Sequence, residues 1–257
     1  MNYETILTET SDDIFIITIN RVQQKNSLNE QLIIDIAAAL DEAQKLENCH
    51  AVVLQGKEGL FCTGMDFEQV TKEITAGSAV SFTGDCYMKL LKQINTISKI
   101  VIAKVDGKVL AGGMGIVAAC DVVIATPKSQ FGLSEAMWGL LPANVMPFLI
   151  RRVGYQSAYL LTLTMQNIAA QKAYEMKLVD EVSENLDDVL RRLLINFRRL
   201  SDDTISEAKQ FFRKMWIIDD EMEQVAIHEL EKLVNKKEVM ENIKNFVLYK
   251  KFPWDKE

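Results

Sequence analysis

The stretch Val109-Leu-Ala-Gly-Gly-Met-Gly-Ile-Val-Ala-Ala-Cys-Asp121 limits what this chain can fold into more than any other. Apolar residues Ile100–Val105 lead into it, Gly112, Gly113 and Gly115 crowd its centre, and the small apolar run Ile116–Cys120 leaves it. The pattern predicts a strand, a tight turn and the start of a helix. Glycine accepts positive φ and lets a ligand or another backbone come close. The first N–H groups of a helix lack intrahelical acceptors and sit at the positive end of its dipole. A place built this way stabilises an anion, either a phosphate or an oxyanion formed during a reaction.

The flanking segments alternate in type. Ile14–Asn20 and Ala51–Gln55 are apolar and β-branched, as buried strands are, and Leu60–Gly64 is a short run closed by a second glycine turn. Asn26 and Ser27 are turn or cap residues ahead of Asn29–Leu46, where apolar residues recur at helical spacing. Phe67–Ile74 and Tyr87–Ile97 are predicted helices, with a loop of small residues, Gly77–Gly84, between them. Asp121–Ala125 is the next strand, and Gln130–Glu135 follows a turn at Thr126-Pro-Lys. Phe148–Val153, Gln156–Thr164 and Ala169–Met176 are helical in pattern. Strands therefore alternate with helices over about 180 residues, an α/β arrangement. From Leu186 to Tyr249 charged residues interleave with Leu, Ile and Phe at helical spacing, so the expected division is a core over 1–185 and a helical region over 186–257.

Composition removes several classes of function. A net charge of −7 leaves no basic footprint for nucleic acid. No apolar run is long enough to span a membrane, and the opening Met-Asn-Tyr-Glu-Thr lacks the pattern of a signal peptide. Cys49, Cys62, Cys86 and Cys120 form no C-x-x-C pair and the chain has two histidines, which speaks against a metal site. Reduced thiols in a cytoplasmic protein are the simplest reading. Gly113-Met-Gly115-Ile-Val-Ala118 does fit the dinucleotide fingerprint G-x-G-x-x-A, with Glu135 as a ribose-binding acid. That motif belongs directly after a first strand, whereas here three strands precede it and Asp106-Gly107-Lys108 interrupts the approach, so no cofactor is expected.

Phe61-Cys-Thr-Gly64-Met65-Asp66 resembles the F-x-x-G-x-D turn of the crotonase (enoyl-CoA hydratase/isomerase) superfamily. Val105-Asp-Gly107-Lys-Val-Leu-Ala-Gly112-Gly113-Met-Gly115 resembles its V-x-G-x-x-x-G-G-G segment, and Ile17-Thr-Ile-Asn20-Arg21 its I-T-L-N-R opening. Gln130-Phe-Gly-Leu-Ser-Glu135 through Pro142 is similar to its F-x-x-P-E…G-x-x-P segment. The resemblance covers residues of about 10 to 250 with the motifs in order. It implies a spiral of ββα units with a helical C-terminal region that builds a homotrimer or hexamer. It also implies an oxyanion hole for a thioester enolate, made from the N–H groups of Met65 and Gly112.

Hydratases of that superfamily use two glutamates. The first falls at Gly115 and is absent; the second falls at Glu135 and is present. One retained carboxylate fits a syn elimination, in which it takes the α-proton and returns a proton to the departing hydroxyl. Leu133-Ser-Glu135 through Gly154 and the ending Phe252-Pro-Trp254 look most like the dehydratases of polyketide β-branching cassettes. Those enzymes remove water from 3-hydroxy-3-methylglutaryl on an acyl carrier protein to give 3-methylglutaconyl. The alternatives are an acyl-CoA hydratase or isomerase, and the partner decarboxylase of the same superfamily.

The candidate catalytic residues are thus Glu135, Asp66 and Asn144. Apolar neighbours such as Met137 and Trp138 should raise the Glu135 pKa. Asp66 reads either as the N-cap of the helix from Phe67 or as a polar group near the leaving hydroxyl. Asn144 orients a substrate oxygen or stabilises its own loop. Tyr87 and Lys89 open the helix over the substrate in the superfamily's layout, and both are read as surface residues. The stripe Leu190, Leu193, Leu194 and Phe197 is read as core, and Arg191, Arg192, Arg198 and Arg199 as solvated rather than as a carrier-protein contact.

Overall fold

The computed structural model describes residues 3–11, 13–76, 84–216 and 219–255. The chain opens with a hairpin, β1 (Ile6–Ser11) and β2 (Ile14–Ile19), followed by α1 (Glu30–Gln44). A recurring unit then begins: a long strand, a short strand and helix. Its copies are β3 (Ala51–Gln55), β4 (Leu60–Cys62), α2 (Phe67–Thr75) and α3 (Gly84–Thr96); β5 (Ile100–Val105), β6 (Lys108–Leu110) and α4 (Gly112–Ala119); and β7 (Val122–Ala125), β8 (Gln130–Gly132) and α5 (Met146–Thr164). The chain continues through β9 (Ile168–Ala169), α6 (Ala170–Glu175) and β10 (Glu181–Val182). It closes with α7 (Leu186–Phe197), α8 (Asp202–Met215), α9 (Asp220–Val234) and α10 (Lys237–Tyr249).

The long strands, with the two-residue β10 at one edge, form one sheet in the order β1-β2-β3-β5-β7-β10, parallel except for β1. The short strands form a second sheet, β4-β6-β8-β9, parallel except for β9. Each unit therefore contributes one strand to each sheet before its helix, which is the ββα spiral expected from the resemblance. The inner strands β2, β3, β5 and β7 are mostly apolar because both faces of the sheet are covered there. Phe15, Ile17, Val52, Leu54, Val101 and Ala103 face the main core with α1, α3 and α4. Their sequence neighbours Ile14, Ala51, Val53, Ile102 and Ile124 face Leu186, Val189, Leu190 and Leu194 of α7. The expected Leu190/Leu194 stripe is thus core, and α7 shields the second face of the large sheet.

Most elements lie where the periodicity puts them. Asn29 caps α1 by accepting from Leu32 N–H. The two helical segments expected around Gly154 are the halves of α5, which breaks at that residue with φ 76° and ψ 164°. Strands β1, β9 and β10 were not legible in the sequence: β1 is a half-exposed edge strand, and the other two span two residues each. Most of the loop expected over Gly77–Gly84 lies outside the described residues. Among the described residues no helix is long and apolar enough to cross a membrane.

Asn26 ties the loop before α1 to β4. It has φ 53°, its Oδ1 accepts from Arg21 N–H at 2.9 Å, and its Nδ2 donates to Leu60 O at 2.7 Å. Asn26→Ala removes both bonds and leaves an alanine in the left-handed region. We expect a loss of about 2 kcal/mol and a fall in Tm of roughly 4–8 °C, measured by thermal denaturation.

Candidate active site

The parallel pairing of β4, β6 and β8 brings three chain segments to one edge. In register, Cys62 lies beside Val109, and Leu110 beside Gly132. Two or three residues beyond each strand end come Met65, Gly112 and Glu135. The carboxyl edge of parallel strands is where open α/β sheets place their ligands.

The first segment turns at Gly64, with φ 86°. Leu28 N–H donates to Gly64 O at 2.7 Å, and Asp66 N–H donates to Leu28 O at 2.9 Å. Pairing with the residues on both sides of Met65 directs the N–H of Met65 away from Leu28. On that other side lies the second turn. A Cβ on Gly64 would sit 2.5 Å from Ala111 Cβ and 3.2 Å from Gly112 N, so the two backbones touch at a distance that glycine alone permits. Ala111 swings the chain from β6 into α4 at φ 48° and ψ −122°, a strained conformation for a residue with a side chain. Ala111 N–H donates to Gly132 O at 2.9 Å, which holds the turn against the end of β8. Gly112 is the first residue of α4. Neither its N–H nor that of Met65 has an acceptor among the described residues. Two adjacent backbone donors, one of them on the positive end of a helix dipole, are what a developing oxyanion needs.

The third segment carries Glu135, the first residue of a 3-10 turn, Glu135–Trp138. Its Oε2 accepts from Ser134 N–H at 2.9 Å, and among the described residues no cation pairs with it. It is partly exposed and lines a cavity. Burial pushes its pKa up from 4.5 to about 7, against the smaller lowering effect of the backbone N–H groups of Glu135 and Ser134. Asp66 differs: its Oδ1 caps α2 by accepting from Gln69 N–H at 3.1 Å, and its Oδ2 pairs with Arg21 at 2.8 Å. Asn144 is 2 % exposed. Its Nδ2 donates to Gly84 O, which fixes the amide orientation and leaves Oδ1 buried without a partner among the described residues.

One cavity of about 420 Å³ is lined by Met65, Asp66, Gly112, Glu135 and Asn144 together, and by Tyr87. All five expected site residues therefore meet. Tyr87 corrects the surface reading: it is 2 % exposed and packs in the main core. Leu91 and Ile94 follow it on the same buried stripe of α3, a helical spacing that could have revealed it. Lys89 is on the surface as expected, paired with Asp85 at 2.6 Å. Arg191, Arg192 and Arg198 pair with Asp188, Glu181 and Asp13 within the chain. The dinucleotide reading fails on packing. A Cβ on Gly113 would meet Cys62 O at 2.6 Å and one on Gly115 would meet Tyr87 Oη at 2.2 Å, so both glycines face protein rather than a pyrophosphate. Among the described residues no group of His, Cys, Asp and Glu could hold a metal ion.

The sequence profile of the enoyl-CoA hydratase/isomerase family matches residues 9–257. The chain belongs to that family. It is 32 % identical over 255 residues to the bacillaene synthase dehydratase PksH of Bacillus subtilis, covering 99 % of this chain and 98 % of the relative. It is 28 % identical over 221 residues to the enoyl-CoA hydratase ACTT6 of Alternaria alternata, covering 85 % and 72 %. The crystal structure of a polyketide biosynthesis enoyl-CoA hydratase from Bacillus subtilis superposes with a TM-score of 0.93 at 32 % identity, over 98 % of this chain and 100 % of that one. An enoyl-CoA hydratase from Bacillus halodurans shares the fold, with a TM-score of 0.84 at 23 % identity over 94 % and 99 %. The fold is the crotonase fold, and the chain is an enzyme of the hydro-lyase type.

The raised Glu135 pKa carries a stability signature. A carboxyl favoured in its neutral form by folding adds stability that is complete below its unfolded pKa, near 4.5, and is lost as pH rises through about 7. Glu135→Gln stays neutral throughout. Its Tm should match the parent at pH 4.5 and exceed it at pH 8; equal Tm values at pH 8 would mean that the carboxylate is not strained by burial.

Proposed function

We propose that the protein is a dehydratase that removes water from 3-hydroxy-3-methylglutaryl held on an acyl carrier protein, giving the 3-methylglutaconyl thioester in polyketide β-branching. The observation that carries this reading is the unequal commitment of the two carboxylates. Asp66 spends one oxygen on a helix cap and the other on Arg21, while Glu135 keeps an oxygen for substrate and has a pKa of about 7. A group poised near the working pH both accepts and returns a proton efficiently.

In this reading the thioester oxygen takes hydrogen bonds from the N–H groups of Met65 and Gly112. Glu135 removes the α-proton, and the electron pair moves into an enolate whose oxygen those donors stabilise. The enolate then collapses to the alkene as the C3–O bond breaks. Glu135 returns its proton to the leaving hydroxyl, so water departs and the carboxylate is regenerated. Asn144 Oδ1, an acceptor without a donor among the described residues, is assigned to the substrate's 3-hydroxyl. Asp66 is assigned to the polar wall beside that hydroxyl. Hydration by a pair of glutamates is the less supported alternative, because position 115 has no side chain. PksH, named as a dehydratase of bacillaene synthase, supports the dehydratase reading and the polyketide setting, and the carrier-linked substrate is part of the proposal. Assembly as a homotrimer or a hexamer belongs to the same proposal; Tyr155, Tyr159 and Leu163 of α5 and Phe211 and Phe212 of α8 are exposed apolar side chains suited to it.

Mass spectrometry of the 3-hydroxy-3-methylglutaryl carrier protein after incubation should show loss of one water, with a lower KM than for the coenzyme A thioester. Glu135→Gln should lower the rate by about 10²–10⁴-fold. An intact substrate, or equal kcat/KM for both thioesters, would contradict the proposal.

A further inference from the structure

Position 115 is empty for a reason that lies on another helix. A Cβ there would stand 2.2 Å from Tyr87 Oη, 3.2 Å from Tyr87 Cζ and 3.2 Å from Val145 Cγ2. Tyr87 cannot swing aside, because its ring is 2 % exposed in the main core and its hydroxyl donates to Gly112 O. That carbonyl belongs to the first turn of α4, on Gly112, which lines the cavity. The hydroxyl also lies beside Gly112 itself, 3.6 Å from where its Cβ would be.

We propose that Tyr87 and Gly115 are a matched pair, and that Tyr87 is a positioning residue for the oxyanion donor of Gly112. Its ring takes the volume that a side chain at 115 would need, so a second acid at 115 and the tyrosine exclude each other. Its hydroxyl anchors the Gly112 carbonyl and thereby sets the direction of the first turn of α4. The single working carboxylate is thus specified at two positions, one of them remote in sequence. The proton of Tyr87 is committed to a backbone oxygen, and burial moves its pKa well above 10, so it does not serve as a base. The kinetic consequence rests on the dehydratase reading; the packing consequence does not.

Two measurements test the pair. The first is a thermal-denaturation cycle, which needs no substrate. Gly115→Ala should lower Tm in the parent, and the drop should be at least halved on a Tyr87→Phe background, where the 2.2 Å contact is gone. Equal drops in both backgrounds would overturn the pairing. The second is steady-state dehydration of the 3-hydroxy-3-methylglutaryl carrier protein. Tyr87→Phe, shown by circular dichroism to be folded at the assay temperature, should lose roughly ten-fold in kcat with KM unchanged, because a misaimed donor is felt in the transition state. A rise in KM at constant kcat, or parent-like kinetics, would overturn the positioning role. A parent protein that leaves the thioester intact would overturn the dehydratase reading and the kinetic half of this one, while the thermal cycle would still decide the pairing.

Discussion

The site depends on the parallel pairing of three short strands. β4, β6 and β8 are three residues long each, yet their register places the residues beyond their ends side by side. Met65, Gly112 and Glu135 come from separate units of the spiral, and a slip of one residue would turn a donor away from the cavity. The near-contact of Gly64 with Ala111 and Gly112 holds this arrangement, together with the strained φ of Ala111. Strain of this kind persists where surrounding structure over-determines it, and the bond from Ala111 N–H to Gly132 O is part of that support.

Electrostatics then divides the labour among polar groups. An oxyanion donor in a dry site is worth about 2.7–4 kcal/mol, and backbone N–H groups fixed by a sheet edge need no reorganisation to act. In the proposed reaction such a donor pair takes up the enolate charge, and among the described residues no cation pairs with Glu135. Asp66, by contrast, has Arg21. Two carboxylates are therefore placed in two environments, one committed to a helix cap and an ion pair and one buried without a cation among the described residues.

Much of this was legible in the chain. The two glycine turns and the apolar setting of Glu135 came from local pattern, the roles expected of Met65, Gly112 and Glu135 came from the crotonase resemblance, and these residues share one cavity with Asp66 and Asn144. The cap made by Asp66 was legible for the same reason, since it acts within one turn. What could not be read was the packing of one unit on the next. Tyr87 belongs to α3, and only its place above α4 shows why position 115 carries no side chain. The ion pair from Arg21 to Asp66 spans two loops, and the unmet oxygen of Asn144 appears only once Gly84 is seen to take its amide. Strands as short as β9 and β10 carry no periodicity at all, because two residues cannot alternate.

The central claim is that burial alone holds Glu135 near neutrality. It is tested most directly by following the side-chain carboxyl carbon of glutamate in ¹³C-labelled protein by NMR across pH 4 to 9, with Glu135→Gln to identify the resonance. The account predicts a midpoint near pH 7 for Glu135. A midpoint near 4.5, the value of an unburied glutamate, would contradict it.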